Sequence, residues 1–131
     1  MNNRGNGNPR LKVLVVEDDP ETAEGLAELV GIKGHEAQIA YDGRSAIRNV
    51  RDHDFQLVLL DIGLPDMDGY EVARRLTLLG QRSLSIVAMS GYGSDEDLRR
   101  SDGAGLDAHI VKPCRSEQLE QILQRAMSKS R

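Results

Sequence analysis

Four short apolar runs in the chain each stop at a polar residue: 13–16 before Glu17 and Asp18, 57–60 before Asp61, 86–89 before Ser90, and 108–111 before Lys112. Runs of this length, rich in Val, Ile and Leu, read as strands. Between them the apolar period lengthens to that of helices. The spacing predicts a helix over 20–30, with Asp19 as its cap, Pro20 in the first turn, and Ala23, Leu26, Ala27 and Val30 on one face; Gly31 and Gly34 are expected to end it. A second strand over 36–40 leads through Asp42 and Gly43 into a helix carrying Ala46, Ile47 and Val50. After the third strand, the loop 63–69 feeds a helix with Val72, Leu76 and Leu79 at helical spacing. Ser94 with Asp97 has the form of a capping box and opens a short fourth helix ending near Gly103. With Leu98 as its main large apolar residue, that helix is expected to be the most loosely packed. The last helix, from Ser116, carries Leu119, Ile122, Leu123 and Ala126 in one stripe.

Alternation of strand and helix is the pattern of an α/β domain with a parallel sheet. In such a sheet all strand carboxyl ends lie along one edge, so residues about 95 positions apart in sequence can meet in one crevice. Carboxylates, a hydroxyl and an ammonium gathered there suggest phosphoryl chemistry.

Composition narrows the reading. At 131 residues the chain fits one domain, and 39% hydrophobic with 29% charged residues is a globular composition. No apolar stretch approaches the roughly 18 residues of a membrane span. A net charge of −4 argues against a general affinity for nucleic acid or anionic lipid. Segment 1–10, nearly all Asn, Gly and Arg, reads as a disordered tail before a domain over 11–127, with 128–131 as a C-terminal tail. One cysteine, Cys114, has no intrachain partner, and the absence of a leader-like segment makes a reducing cytoplasm the expected setting.

From about Leu11 to Met127 the chain resembles the receiver domain of two-component response regulators. The resemblance is carried by Val15-Val16-Glu17-Asp18-Asp19-Pro20, by the loop from Leu59-Leu60-Asp61 to Asp66-Met67-Asp68-Gly69, by Ala88-Met89-Ser90-Gly91, and by Val111-Lys112-Pro113. It implies a flavodoxin-like, doubly wound (βα)5 sandwich with a five-stranded parallel sheet of order 2-1-3-4-5 and helices on both faces. It also implies a bacterial signalling domain, not an enzyme in the usual sense. Asp61 would take a phosphoryl group from a histidine kinase or histidine phosphotransfer domain as an acyl phosphate, followed by slow autodephosphorylation. Mg2+ or Mn2+ would be held by Asp18, Asp61 and the backbone carbonyl of Gly63, with Glu17 acting through water. Three crowded acids are expected to repel and to raise one or more carboxyl pKa values. Lys112 would pair first with Asp61 and then with a phosphoryl oxygen, Ser90 would give its hydroxyl to another, and Pro113 would follow a cis bond.

In the family an aromatic residue three positions before the lysine moves inward when the hydroxyl residue moves to the phosphate. Here that position is His109, a smaller and more polar ring. Gly63 leaves the phosphate open to water, whereas Tyr92 can cover it. Plainer readings stand beside these. Ser90 can bond to backbone at a strand end, the acidic run 17–19 can cap a helix, His109 can be a half-exposed strand residue, and Asp66 and Asp68 read as loop and cap residues. The expected output surface is the fourth helix, fifth strand and last helix, meeting a downstream protein without direct nucleic-acid contact or membrane insertion. The chain reads as a stand-alone receiver or one from a hybrid sensor kinase. An aspartyl-phosphate phosphatase would want a second acid where Gly63 stands; a receiver-like scaffold working without phosphorylation predicts that Asp61→Asn leaves binding untouched.

Overall fold

The computed structural model describes residues 10–79, 84–91 and 105–129. Five strands, β1 (Lys12–Val16), β2 (Glu36–Ala40), β3 (Leu57–Asp61), β4 (Ser85–Ser90) and β5 (Ala108–Val111), form one sheet. All neighbours are parallel, and the order is β2-β1-β3-β4-β5, as the resemblance implied. Among the described residues the helices are α1 (Pro20–Ile32), α2 (Gly43–Asp52), α3 (Gly69–Leu78) and α4 (Ser116–Lys129). The tail over 1–9, the helix expected over 94–103 and Tyr92 lie outside the described residues.

Burial explains why the central strands read as unbroken apolar runs. β3 and β4 are buried at every position and β1 at all but Lys12, because helices cover both of their faces. Alternate residues serve opposite layers. Leu14, Val16, Val58, Leu60 and Ile86 pack with Ala46, Val50, Val72 and Leu76, while Val13, Val15, Leu57, Leu59 and Met89 pack with Ala23, Val30, Leu119, Ile122 and Leu123. Each buried Val or Leu contributes about 1.5–3 kcal/mol, whereas an exposed ion pair such as Glu71–Arg75 contributes about 0–1 kcal/mol. The two apolar layers therefore hold the sheet and set where its strand ends point.

Helix ends follow from local chemistry, with three departures from expectation. The Asp19 carboxylate accepts from Thr22 N–H at 3.0 Å and caps α1. That helix passes through Gly31 to Ile32; Lys33 caps it, and Gly34 takes the left-handed turn at φ 93°. Gly34 N–H and His35 N–H close on the carbonyls of Gly31 and Val30. Leu79, expected on the inner stripe of α3, is instead its C-cap and 38% exposed, because the helix stops at Leu78 and the stripe ends with Leu76. The last helix runs past Met127 to Lys129, whose ammonium donates to Leu84 O and Asp107 Oδ1, each at 3.0 Å. No helix among the described residues is long and apolar enough to cross a membrane.

Candidate functional site

Four chain segments deliver their polar ends to one edge of the sheet. Glu17 follows β1 and is kept in line by its N–H to Ala40 O, 3.0 Å. Asp61 is the last residue of β3, in register with Met89 of β4, and Ile62 N–H bonds Met89 O just beyond it. Lys112 follows β5, with its N–H on Ser90 O at 2.7 Å. Each functional side chain thus stands one residue past an apolar anchor, where the backbone ladder fixes its origin.

The side chains converge. Lys112 Nζ lies 2.9 Å from Glu17 Oε1 and 3.2 Å from Asp61 Oδ1. Carboxylate oxygens of Glu17, Asp18 and Asp61 all lie within 4.8 Å of one another; Glu17 and Asp61 are buried and Asp18 is exposed. Asp61 Oδ1 also accepts from Gly63 N–H at 3.0 Å, and Glu17 Oε2 from Asp19 N–H at 3.1 Å. An all-oxygen donor set, open to solvent on the Asp18 side, suits a hard divalent cation better than a soft one.

The electrostatics differ in cause from the expectation. Burial is what chiefly pushes the Glu17 carboxyl up from its ordinary value; hydrogen bonds from Lys112 and Asp19 oppose it, and the charge of Asp61 adds to it. Repulsion between acids is therefore real but secondary. For Lys112, burial favours the neutral amine, yet the Glu17 hydrogen bond and the charges of Asp61 and Glu17 together outweigh it and hold the ammonium above the usual lysine range. The lysine is thus shared between two acids, with Glu17 its nearer partner.

Ser90, 9% exposed, sits at the margin of this group, and its Oγ is 2.8 Å from His109 Nε2. His109 is a partly buried residue of β5, as the plainer reading had it, and its ring meets Ser90. The bond between Lys112 and Pro113 is cis, as the resemblance implied. Asp66 and Asp68 are cap residues, Asp68 accepting from Tyr70 N–H at 3.0 Å. Asp66, however, reaches across to α2 and accepts from Gly43 N–H and Arg44 N–H, at 2.9 and 3.2 Å. Sequence reasoning found no role for Gly69, where a Cβ would stand 2.5 Å from Ile62 Cα and 2.8 Å from Ile62 O. Its place at the mouth of a helix after a long loop was the only available signal. Beside Lys112, a groove of about 480 Å³ runs between α1 and the segment 112–114, with Leu26, Leu29, Pro113 and Cys114 in its walls. Burial pushes the Cys114 thiol up from its ordinary value, which favours the protonated form.

The parallel sheet, its order and this acidic edge define a receiver fold. The chain belongs to the response regulator receiver domain family, whose model matches residues 13–124. That family is a signalling domain of two-component systems. A gliding motility regulatory protein of Myxococcus xanthus is 36% identical over 104 residues, covering 79% of this chain and 13% of that protein. The chain spans between 12% and 53% of the length of such curated relatives. A CheY-like response regulator receiver domain protein from Methanospirillum hungatei JF-1 superposes with a TM-score of 0.86 at 28% identity, over 93% of this chain and 98% of that one. The receiver domain of sensor histidine kinase PA1611 from Pseudomonas aeruginosa PAO1, solved with magnesium coordinated in its active-site cleft, has a TM-score of 0.82 at 26% identity, over 92% and 99% of the two chains.

Proposed function

We propose that this domain is the phosphoacceptor of a two-component phosphorelay, with Asp61 as nucleophile. The observation that carries the reading is a buried strand-end carboxylate held 3.2 Å from a lysine ammonium, with two further acids within 4.8 Å. An Asp61 carboxylate oxygen attacks the phosphorus of a phosphohistidine; the new O–P bond forms as the P–N bond breaks, and the imidazole nitrogen leaves with the electron pair. Lys112 offsets the charge brought in by the phosphoryl oxygens and passes from Asp61 to one of them, while Glu17 keeps the ammonium aimed at the site. Asp18, Asp61 and the Gly63 carbonyl would hold Mg2+ or Mn2+, with Glu17 reaching it through water, and the bound cation supplies the remaining positive charge. Ser90 gives its hydroxyl proton to another phosphoryl oxygen, and a conformational switch involving Ser90 and His109 passes the signal on.

The phosphodonor, a histidine kinase or a histidine phosphotransfer domain, meets the strand-end edge and α1, where the groove beside Lys112 supports docking of an apolar helix face. Output runs through the surface of β5, α4 and the segment 94–103; Val111, 49% exposed on β5, belongs to that face. Slow hydrolysis returns the domain to rest. Gly63 leaves the path of the attacking water open, and Tyr92 is the residue proposed to cover it.

Intact-mass spectrometry after incubation with acetyl phosphate, with and without Mg2+, tests the reading on the wild type and Asp61→Asn. A metal-dependent phosphate adduct absent from the variant is the expected result. An adduct on Asp61→Asn, or none on the wild type with either acetyl phosphate or a phosphorylated phosphotransfer domain, would overturn it.

A further inference from the structure

The contact between Ser90 Oγ and His109 Nε2, 2.8 Å long, is built by the sheet. β4 and β5 pair with Ala88 opposite His109 and Ser90 opposite Val111, so the serine and histidine side chains stand diagonally on one face of adjacent strands. Both backbones are held there, since Lys112 N–H continues the ladder onto Ser90 O. The two side chains therefore meet without either strand having to move.

The chemistry of the two groups restricts what the contact can be once a phosphoryl group is on Asp61. A serine hydroxyl carries one proton and accepts through its lone pairs, and an imidazole Nε2 donates or accepts according to tautomer. A phosphoryl oxygen only accepts. When Ser90 gives its single proton to that oxygen, the bond to His109 survives only with Nε2–H as the donor and Ser90 Oγ as the acceptor.

We propose that His109 is a positioning residue for Ser90: in the phosphorylated domain its Nε2–H holds Ser90 Oγ, so that the hydroxyl bridges imidazole and phosphoryl oxygen. The inference rests on Asp61 as the phosphoacceptor and deepens it. The phosphoryl group is read through the direction of one hydrogen bond, not through a ring swinging into vacated space. The Nε2–H tautomer of the ring meets that requirement.

The test is long-range 1H–15N NMR of the His109 ring in the wild-type domain, with Asp61 phosphorylated by acetyl phosphate and the adduct verified by mass. Nε2 is expected to be protonated and bonded in the phosphorylated form; a bare Nε2, or a ring resonance unmoved by phosphorylation, would overturn the inference while leaving the phosphoacceptor reading intact. Absence of the adduct would instead remove the reading beneath it. Initial phosphorylation rates give a second arm. His109→Phe, which fills the space without a donor, is expected to slow the reaction about fivefold, the worth of one neutral hydrogen bond. His109→Gln, which restores an N–H at similar reach, should recover most of that loss, and in a Ser90→Ala background the difference between Phe and Gln should vanish. Equal rates for the two variants, or a difference that persists without the hydroxyl, would count against His109 acting through Ser90.

Discussion

His35 Nδ1 accepts the Leu11 N–H at 3.0 Å, which ties the start of β1 to the start of β2 and requires that nitrogen to be unprotonated. Burial holds the His35 pKa below its ordinary value of 6.5, against the opposing charge of Glu120. A folded-state value below the unfolded one means that the unfolded chain binds more protons in that window. The contribution is therefore fully present above pH 6.5 and is lost as pH falls below it. Urea unfolding between about pH 7.5 and 5.5 should show a larger loss of stability for the wild type than for His35→Asn, which offers an acceptor without titrating. At Gly63 a Cβ would lie 3.8 Å from Asp61 Oδ1, an ordinary contact, so a side chain fits there and would stand over the Asp61 carboxylate. Gly63→Met should lengthen the half-life of the phosphorylated domain, read by the decay of the mass adduct; a shortened half-life would contradict the proposed role of Gly63. Asp61, Lys112 and Glu17 were legible as residues because each directly follows or closes an apolar run. What Glu17 does with Lys112 was not, since the 2.9 Å contact spans 95 positions of chain.

The α2 N-terminus shows how one element is completed by another. Its first amides are shared between Asp42, which accepts from Ser45 N–H at 2.8 Å, and Asp66 of the loop before α3. The local cap was readable from Asp42 alone, as with Asp19 in α1, because an N-cap bonds two or three residues along its own chain. Asp66 could not be placed, because its partners depend on the path of a loop 23 residues away. Asp66→Ala leaves two helix-end amides without that acceptor and should cost about 0.5–2 kcal/mol in urea unfolding. Gly69 closes the same loop by donating its N–H to Ile62 O at 3.2 Å, and backbone atoms of Ile62 occupy the space a Cβ needs. Gly69→Ala should cost about 1–3 kcal/mol by forcing the loop outward. Because Ile62 adjoins Asp61, the same substitution should also slow phosphorylation by acetyl phosphate. A variant of wild-type stability and rate would show that the loop absorbs the methyl elsewhere.

At the scale of the whole molecule, three carboxylates brought together at one sheet edge would link the proposed metal binding to stability. A cation bound only by the folded domain stabilises it in proportion to the logarithm of its concentration, by about 2.7 kcal/mol at a hundred times the dissociation constant. The melting temperature should rise with Mg2+ over successive decades of concentration, and Asp18→Asn should remove most of that rise. A rise retained in full by Asp18→Asn would place the ion elsewhere. The sequence by itself determined the sheet, the parallel sense of its strands, the inner faces of the described helices apart from Leu79, and the identity of the strand-end acids, hydroxyl and lysine. Periodicity and local caps depend on neighbours a few residues apart, so one chain carries them openly. Only the tertiary structure decided that Lys112 is divided between Glu17 and Asp61, that His109 faces Ser90, that Asp66 serves α2, and that Gly69 must lack a side chain. Those contacts follow from strand register and loop path, where one residue of slip exchanges every partner, and neither is written in the pattern of any single segment.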